Sequence, residues 1–266
     1  MRYIDDEAES CVKNFFTTVC DNLSSSSDET TGKIAFEYDF NGSTMGYASY
    51  TIGSKPGGTN LTYGFSTREE LDADFRFGSP VVPPMVYRTF ESENLESLEF
   101  GLKSDFFNGK ARANIAVFSY DYENLQFQAT DPDPFRGGVA NIPNSEMDGV
   151  EVEFTALLGD SITFDMNLGF IDTEVTSEYE VLDNVLAYQY FFTEEQERYD
   201  LREDVKGNML AKTPEFTADA TLTYEGELAS GNPINVILQF VRRGEFMQRV
   251  SNLSLIHISE PTRLRR

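Results

Sequence analysis

The stretch Ile162-Thr163-Phe164-Asp165-Met166-Asn167-Leu168-Gly169-Phe170 alternates between large apolar residues and polar or small ones. Successive side chains of a β-strand point to opposite faces of the sheet, so a period of two residues predicts a strand with two unlike faces. A tilted strand needs about 9–11 residues to cross a bilayer, and this stretch has that length.

The same period recurs along the chain and predicts about eight strands. Alternation is clean in 34–40, 98–102, 150–156, 162–170, 216–224 and 234–240, and weaker in 44–53 and 111–128. The segment 111–128 is long, and we expect a bulge near residues 121–124. Each strand places its apolar residues on one face, and no amphipathic helix of matching size is available to cover that face. We therefore expect the apolar face of the predicted sheet to contact lipid.

Short turns alternate with long connections between these strands. The short turns have the Asn and Gly chemistry of tight hairpins: Asn41-Gly42-Ser43, Asn108-Gly109, Gly159-Asp160 and Ser230-Gly231-Asn232. The long connections are 54–94, 130–147 and 175–213. In the third, the capping-box residues Thr193 and Gln196 and the terminator Gly207 predict a helix. One rim of brief turns and another of long loops is typical of a membrane β-barrel, so the predicted fold is a mainly β, antiparallel up-and-down meander.

Composition excludes several classes of protein. The 45 acidic and 21 basic residues give a formal net charge of −24, which would repel a nucleic-acid backbone. The 22 Phe and 13 Tyr argue against wholesale disorder. No P-loop, zinc motif or nucleophile elbow is present in the sequence, and we therefore expect a protein that is not an enzyme and has no cofactor.

The two ends of the chain differ from its centre. Residues 1–30 are acidic and Ser-rich and are expected to form a loop segment, and 31–252 would be the β-barrel fragment. Residues 253–266 resemble an in-frame translation of a transposase-type sequencing adapter, so we expect them to be non-native. They contain the only His, His257, and no His-based site is predicted. The start lacks a signal-peptide h-region, which favours a truncated gene.

Five segments together resemble the C-terminal part of the β-barrel of TonB-dependent outer-membrane receptors. They are Thr31–Tyr38, Met45–Asn60 with its Gly-Ser-Lys-Pro-Gly-Gly turn, Glu93–Asn108, the Gly-Val-Glu-Val-Glu strand start at 149–153, and Gly207–Tyr224 with its Gly-Asn-Met-Leu and Pro-Glu elements. They follow one another in the family's order and cover about 31–250.

The resemblance implies a location and a function. Such receptors are plugged barrels of about 22 strands in the outer membrane of Gram-negative bacteria. They import scarce ligands such as ferric siderophores, cobalamin or glycans with energy from TonB. The implied partners are outer-membrane lipid, lipopolysaccharide, the ligand and, through a missing N-terminal region, the TonB complex. A plug, a TonB box and an aromatic-ended final strand are absent from the sequence, so the chain would be an incomplete barrel segment.

Candidate sites follow from this placement. Loop aromatics and cations could contact a ligand above the lumen. They are Tyr63, Phe65, Arg68, Tyr87, Arg136, Tyr188, Tyr190 and Phe191. Cys11 and Cys20 would face an oxidising compartment and are disulfide candidates, with two unpaired thiols as the alternative. No metal site is predicted at the cysteines, because no His or second Cys pair accompanies them. The acidic 131–134 and 176–204 segments lack EF-hand spacing and are expected to be solvated loops, with Ca²⁺ binding through their carboxylates as the alternative.

Two other functions remain open at this stage. A passive porin-like channel shares the physics of the barrel but needs neither plug nor TonB. A secreted soluble β-sheet protein that binds a carbohydrate or a cell surface would also alternate, but would not need alternating loop lengths. The ordered segments favour the active-transport receptor over both.

Overall fold

A computed structural model describes residues 2–13, 18–60, 86–87, 89–132, 135–182 and 202–251. Its strands are β1 (Arg2–Lys13), β2 (Thr18–Glu29), β3 (Gly32–Asn41), β4 (Thr44–Lys55), β5 (Gly58–Thr59), β6 (Thr89–Phe90), β7 (Glu93–Phe106), β8 (Ala111–Pro132), β9 (Phe135–Leu157), β10 (Ile162–Val175), β11 (Glu180–Leu182), β12 (Arg202–Asp204), β13 (Phe216–Glu227) and β14 (Pro233–Arg243). Within these ranges no helix has the length and apolarity to cross a membrane.

The eight strands predicted from alternation form one sheet. Its order is β3-β4-β7-β8-β9-β10-β13-β14, so neighbours in the sheet are also consecutive among these strands, and every pair is antiparallel. This confirms the up-and-down meander. The sheet does not close on itself, and β3 and β14 are its two edges.

The strand register brings the apolar residues of all eight strands to one face, which we call the apolar face. One row of register partners crosses seven strands as Phe36, Ala48, Phe100, Val117, Val150, Phe170 and Phe216. The side chains of this face are open to the surroundings: Phe36 is 75% exposed, Phe100 54% and Phe170 51%. The predicted apolar face is therefore present, and these large side chains stay exposed among the residues that the structure describes.

The apolar face has a sharp polar boundary towards the long connections. Carboxylates replace apolar residues there on β7 to β10: Glu96, Asp121, Glu123, Glu146, Asp148, Asp172 and Glu174. Below the boundary the apolar run of β10 covers residues 162–170, which is about 26 Å of strand at about 3.3 Å per residue. Tilted by about 40°, such a run spans about 20 Å along the membrane normal, which is most of the roughly 25 Å apolar band of a membrane barrel.

The short turns lie together at one end of the sheet, as predicted. In the turn between β7 and β8, Phe107, Asn108 and Gly109 all have positive φ angles (53°, 58° and 80°). Gly159 and Gly231 supply positive φ in two other turns, at 79° and 78°. Positive φ is costly for most residues with a side chain, which explains the Gly and Asn found at these positions.

The prediction of a loop over residues 130–147 is wrong. The β8–β9 ladder continues past the main sheet to the pair Pro132–Phe135, so these residues form a long hairpin. Asn124 (φ 57°) and Pro143 leave the ladder opposite each other, and the register before and after them is the same. The predicted bulge near 121–124 is thus a local interruption without a register shift. Pro143 has no N–H to contribute to the ladder, which accounts for its position.

Residues outside the main sheet form three small hairpins. β1 pairs with β2 over residues that were expected to form a loop. β5 pairs with β6, and β11 pairs with β12. The strand at Arg202–Asp204 rules out a helix that continues to Gly207, where φ is 82°. The remainder of that predicted helix, and the tail with His257, lie outside the described residues.

The buried core lies at the end of the long connections and not on the apolar face. Its members come from the first long connection, the β8–β9 extension, β10, β11 and the later loops: Val86, Ala129, Ala140, Ile142, Val175, Val181, Leu182, Val205, Leu210 and Val250. We call this end of the molecule the crown. It comprises the described parts of the hairpin extension, 125–132 and 135–142, the stems 55–60, 86–87 and 89–93, and the segments 175–182, 202–213 and 247–251.

Candidate functional site: the crown and the polar face

The crown is held together by a compact apolar cluster. Ile142 on β9, Val175 at the end of β10 and Val205 after β12 are at most 1% exposed. The ring of Phe127 meets the ring of Tyr179 edge-on at 5.9 Å. Burying each such side chain contributes about 1.5–3 kcal/mol, so the loops are fixed by a core of their own.

Three amide side chains tie the first long connection to the β8–β9 extension. Buried Asn60 donates to the carbonyls of Tyr87 (2.8 Å) and Val139 (2.9 Å) and accepts from the N–H of Val139 (2.9 Å). Gln126 donates to the carbonyls of Pro56 and Glu91, and Asn141 donates to Glu91 and Asn124. We call Asn60, Gln126 and Asn141 the amide lock. It satisfies loop backbone groups that would be costly to leave unpaired.

The third long connection is fixed by backbone hydrogen bonds to β10. Val175 donates to the carbonyl of Asn208 and accepts from Gly207, and Leu210 donates to the hydroxyl of Thr173. Asp204 accepts from the N–H groups of Tyr179 and Lys206. The N–H of Lys206 and that of Tyr179 lower the pKa of Asp204, because these bonds favour its charged form.

The second face of the main sheet, which we call the polar face, carries paired polar side chains. Tyr47 donates to Glu99 (2.6 Å), and the ammonium of Lys103 lies 5.5 Å from the Tyr47 ring centroid. Asn114 donates to Glu153 across β8 and β9 (2.9 Å). A cavity of about 230 Å³ lies among these residues.

Polar residues of neighbouring strands lie together on the polar face. Glu153, Asn167 and Asp219 are register partners on β9, β10 and β13, and Asn167 donates to Asp219 (2.9 Å). Asp165 accepts from the hydroxyl of Thr155 (2.8 Å). Such a hydrogen-bonded wall suits a hydrated surface better than it suits hydrocarbon.

Aromatic rings cover glycines on the polar face. A Cβ added at Gly101 would overlap the ring of Tyr47, and one added at Gly149 would overlap the ring of Phe118. Phe118 stacks on Tyr120 with ring centroids 4.7 Å apart. The glycines therefore allow close approach of these rings to the backbone, which helps to fix the strand register.

A second cavity, of about 530 Å³, opens between the crown and the polar face. Tyr122 and Met147 form its lower border, just above the register pair Ser119–Asp148. The hairpin extension supplies Leu125 and Phe127, and the loop after β12 supplies Leu210. The size falls within the usual range for small-molecule sites, about 300–1,000 Å³.

The ligand residues predicted from sequence are only partly described. Tyr87 lies in the crown, where its carbonyl accepts from Asn60. The backbone of Arg136 pairs with Asp131 near the tip of the β8–β9 hairpin. The others lie outside the described residues: Tyr63, Phe65, Arg68, Tyr188, Tyr190 and Phe191. Sequence reasoning missed the amide lock, because no local pattern marks an Asn or Gln whose partners are distant backbone groups.

The cysteines are directly opposite one another. The register of the β1–β2 hairpin pairs Cys11 with Cys20. Opposite positions on two antiparallel strands are a backbone arrangement from which a disulfide can form, since their Cα atoms are about 4.5–5.5 Å apart and disulfides span about 4.4–6.8 Å between Cα atoms. Among the residues the structure describes, no group of three or more His, Cys, Asp or Glu side chains could hold a metal ion.

The chain is similar to known outer-membrane receptors. The family described as TonB dependent receptor-like, beta-barrel matches residues 2–253. The structure of the ferric yersiniabactin uptake receptor FyuA from Yersinia pestis has a TM-score of 0.62 and 16% identity over 94% of this chain and 31% of its own. The siderophore receptor PiuA from Acinetobacter baumannii has a TM-score of 0.47 and 16% identity over 84% and 30%.

The ferric preacinetobactin receptor BauA from Acinetobacter baumannii has a TM-score of 0.49 and 12% identity over 86% of this chain and 27% of its own. The chain thus spans about a third or less of the length of these receptors. At such low identity the likeness to FyuA supports the fold alone. The match to the family extends over almost the whole chain. The chain therefore belongs to the β-barrel family of TonB-dependent receptors, which are transport receptors of the Gram-negative outer membrane.

Proposed function

We propose that this chain forms part of the barrel wall and loops of an outer-membrane receptor that imports a scarce ligand with energy supplied through TonB. The ligand class is a ferric siderophore, cobalamin or a glycan. The observation that carries the proposal is the division of one sheet into an uncovered apolar face and a hydrogen-bonded polar face. Membership of the family adds the transport role.

The two faces define the proposed surroundings of the protein. The apolar face would contact the hydrocarbon of the outer membrane, and its acidic boundary would lie near the head groups of lipopolysaccharide. The polar face would line the lumen. Because the crown sits at the end of the long connections, it would be extracellular, where a receptor first meets its ligand.

Ligand contacts would come from the crown. The residues proposed from sequence remain candidates for this role: Tyr63, Phe65, Arg68, Tyr87, Arg136, Tyr188, Tyr190 and Phe191. The amide lock supports the proposal, because it holds the chain on either side of residues 61–85 in a fixed place. Loops held on a rigid base can present contact residues with a smaller entropic cost of binding.

The test is an uptake experiment with the complete receptor that carries this segment. It is expressed in a Gram-negative host whose own receptors have been deleted, and uptake of radioiron siderophores, labelled cobalamin and a labelled oligosaccharide is measured. A strain without TonB is the control. We expect receptor-dependent uptake of one ligand that stops in the control strain. Uptake that continues without TonB would instead establish a passive channel.

We also propose that Cys11 and Cys20 form a disulfide, which would staple the β1–β2 hairpin. The support is their opposite position in the register. Alkylation of the chain before reduction should add no label, and alkylation after reduction should add two. With Cys11→Ser as the control, Cys20 should be labelled without a reductant. Labelling of both thiols in the untreated wild-type chain would show that the pair is reduced.

A further inference from the structure

The crown cavity has an apolar floor. Leu125 and Phe127 from the hairpin extension and Met147 from β9 line it, and all three are partly buried against the crown core. Apolar walls of this kind favour a ligand that can exchange water for contact with aromatic or aliphatic carbon. A small molecule covered only with hydroxyl groups would gain little from such a floor.

The rim of the same cavity is cationic. Lys212 and Arg249 line it and are exposed, and no Asp or Glu contributes to the lining formed by the described residues. This is a local exception in a chain with 45 acidic and 21 basic residues. Two positive charges beside a low-dielectric wall attract an anion more strongly than they would in open water.

The two cations are held on neighbouring segments by hydrogen bonds. The N–H of Lys212 donates to the carbonyl of Met247 (2.6 Å), which joins the loop after β12 to the segment that carries Arg249. The side chain of Asn208 donates to the carbonyl of Val250 (3.0 Å) and joins the same two segments again. These two hydrogen bonds connect the backbone segments that carry Lys212 and Arg249. The two cations are therefore held on the same side of the cavity by the fold.

We propose that the crown cavity binds a small anionic molecule with an apolar, aromatic or branched aliphatic body, whose charge lies at Lys212 and Arg249. This rests on the proposed receptor function and narrows its ligand to a negatively charged, amphiphilic class. The cavity of about 530 Å³ would accept a group of one or two fused rings with its charged substituent. Contact of the ligand's apolar body with the cavity floor would supply binding affinity, and the cationic rim would favour a ligand that carries a negative charge.

The test uses the complete receptor that carries this segment, reconstituted in phosphatidylcholine nanodiscs. The signal from empty nanodiscs is subtracted to remove partition of the probes into lipid. The probes are naphthalene-2-sulfonate and 2-naphthylmethylammonium, which share a ring system and differ in charge. Binding is measured by isothermal titration. We expect the anion to bind and the cation to bind at least about fivefold more weakly. Lys212→Gln and Arg249→Gln should each weaken the anion about two- to fivefold, as for exposed charge pairs.

Two further variants make the result specific. Lys206→Gln removes an exposed cation from the same loop that does not line the cavity, and it should leave anion binding unchanged. Ala211→Trp places a large ring at an exposed lining position and should abolish binding of the anion. Equal binding of both probes, or an equal loss in Lys206→Gln, would overturn the proposal. The uptake experiment measures TonB dependence for ligands of any charge, and the titration measures the charge preference of the crown cavity. Failure of the receptor function can therefore be distinguished from failure of the proposed anion site.

Discussion

Arginine at Phe164 should destabilise the membrane-embedded barrel far more than arginine at the next residue. Phe164 lies on the apolar face, opposite Ala156 on β9 and Leu222 on β13, and its ring is 6.2 Å from the ring of Phe154. Asp165 lies on the polar face and accepts a hydrogen bond from Thr155. The two positions are adjacent in sequence, so the pair isolates the effect of the face.

The expected destabilisation by Phe164→Arg depends on how deep Phe164 lies in the membrane. The apolar run 162–170 is centred on Met166, and Phe164 lies two residues from it, about 6.6 Å along the strand and about 5 Å along the membrane normal. An arginine costs about 2–4 kcal/mol at the midplane and about 0–1 kcal/mol at the interface. Phe164→Arg should therefore cost about 2–3 kcal/mol. Asp165→Arg loses one hydrogen bond, worth about 0.5–1.5 kcal/mol.

The assay is a urea titration of the complete receptor folded into phosphatidylcholine vesicles, followed by circular dichroism of the strands. The free energy of unfolding should fall further for Phe164→Arg than for Asp165→Arg, by about 0.5–2.5 kcal/mol on these figures. Equal tolerance of arginine at the two positions would refute the assignment of the apolar face to lipid.

Two other substitutions test packing and the crown. In Gly149→Ala the new methyl would overlap the buried ring of Phe118, so the free energy of unfolding should fall by about 1–3 kcal/mol. Gly32→Ala, where the space is open, is the matched control, and an equal loss in both would contradict the role given to the ring. Asn60→Ala removes the acceptor of the Val139 N–H, so amide exchange at Val139 should become faster while Asn232→Ala leaves it unchanged. Unchanged exchange at Val139 in Asn60→Ala would show that the amide lock does not hold the loop stem.

The strands and their faces could be predicted because alternation is a local property of the sequence. The 162–170 stretch needs no knowledge of its neighbours to show two faces. The turns were equally local, since Asn108-Gly109 and Gly159 supply the positive φ angles that the backbone adopts there. Register then follows, because a slip by one residue would exchange the apolar and polar faces of a strand.

The β8–β9 extension could not be read in the same way. Its sequence is rich in Pro and Gly from Pro132 to Gly138, which is typical of a loop. The ladder persists there because Phe127, Ala140 and Ile142 pack against residues that follow much later in the chain, among them Val205. A core built from such distant segments leaves no periodic signal in any one of them.

Prediction of the candidate site from sequence was limited for the same reason. Asn60 finds its partners at Tyr87 and Val139, and Lys212 finds its neighbour at Met247. Each contact joins residues that only the folded register brings together. Sequence reasoning could place ligand-binding residues in the long connections, but it could not identify the cationic rim or the amide lock.

The most direct test of the lipid-facing band is a spin-label scan of residues 162–170 in the complete receptor in bilayers, with Cys11 and Cys20 replaced by Ser. Collision with oxygen, which concentrates in hydrocarbon, and with a water-soluble nickel chelate is measured at each position. We predict oxygen maxima at 162, 164, 166, 168 and 170 and nickel maxima at the positions between them. Uniform accessibility along the strand, or nickel maxima on the apolar side, would contradict a membrane-spanning β-barrel.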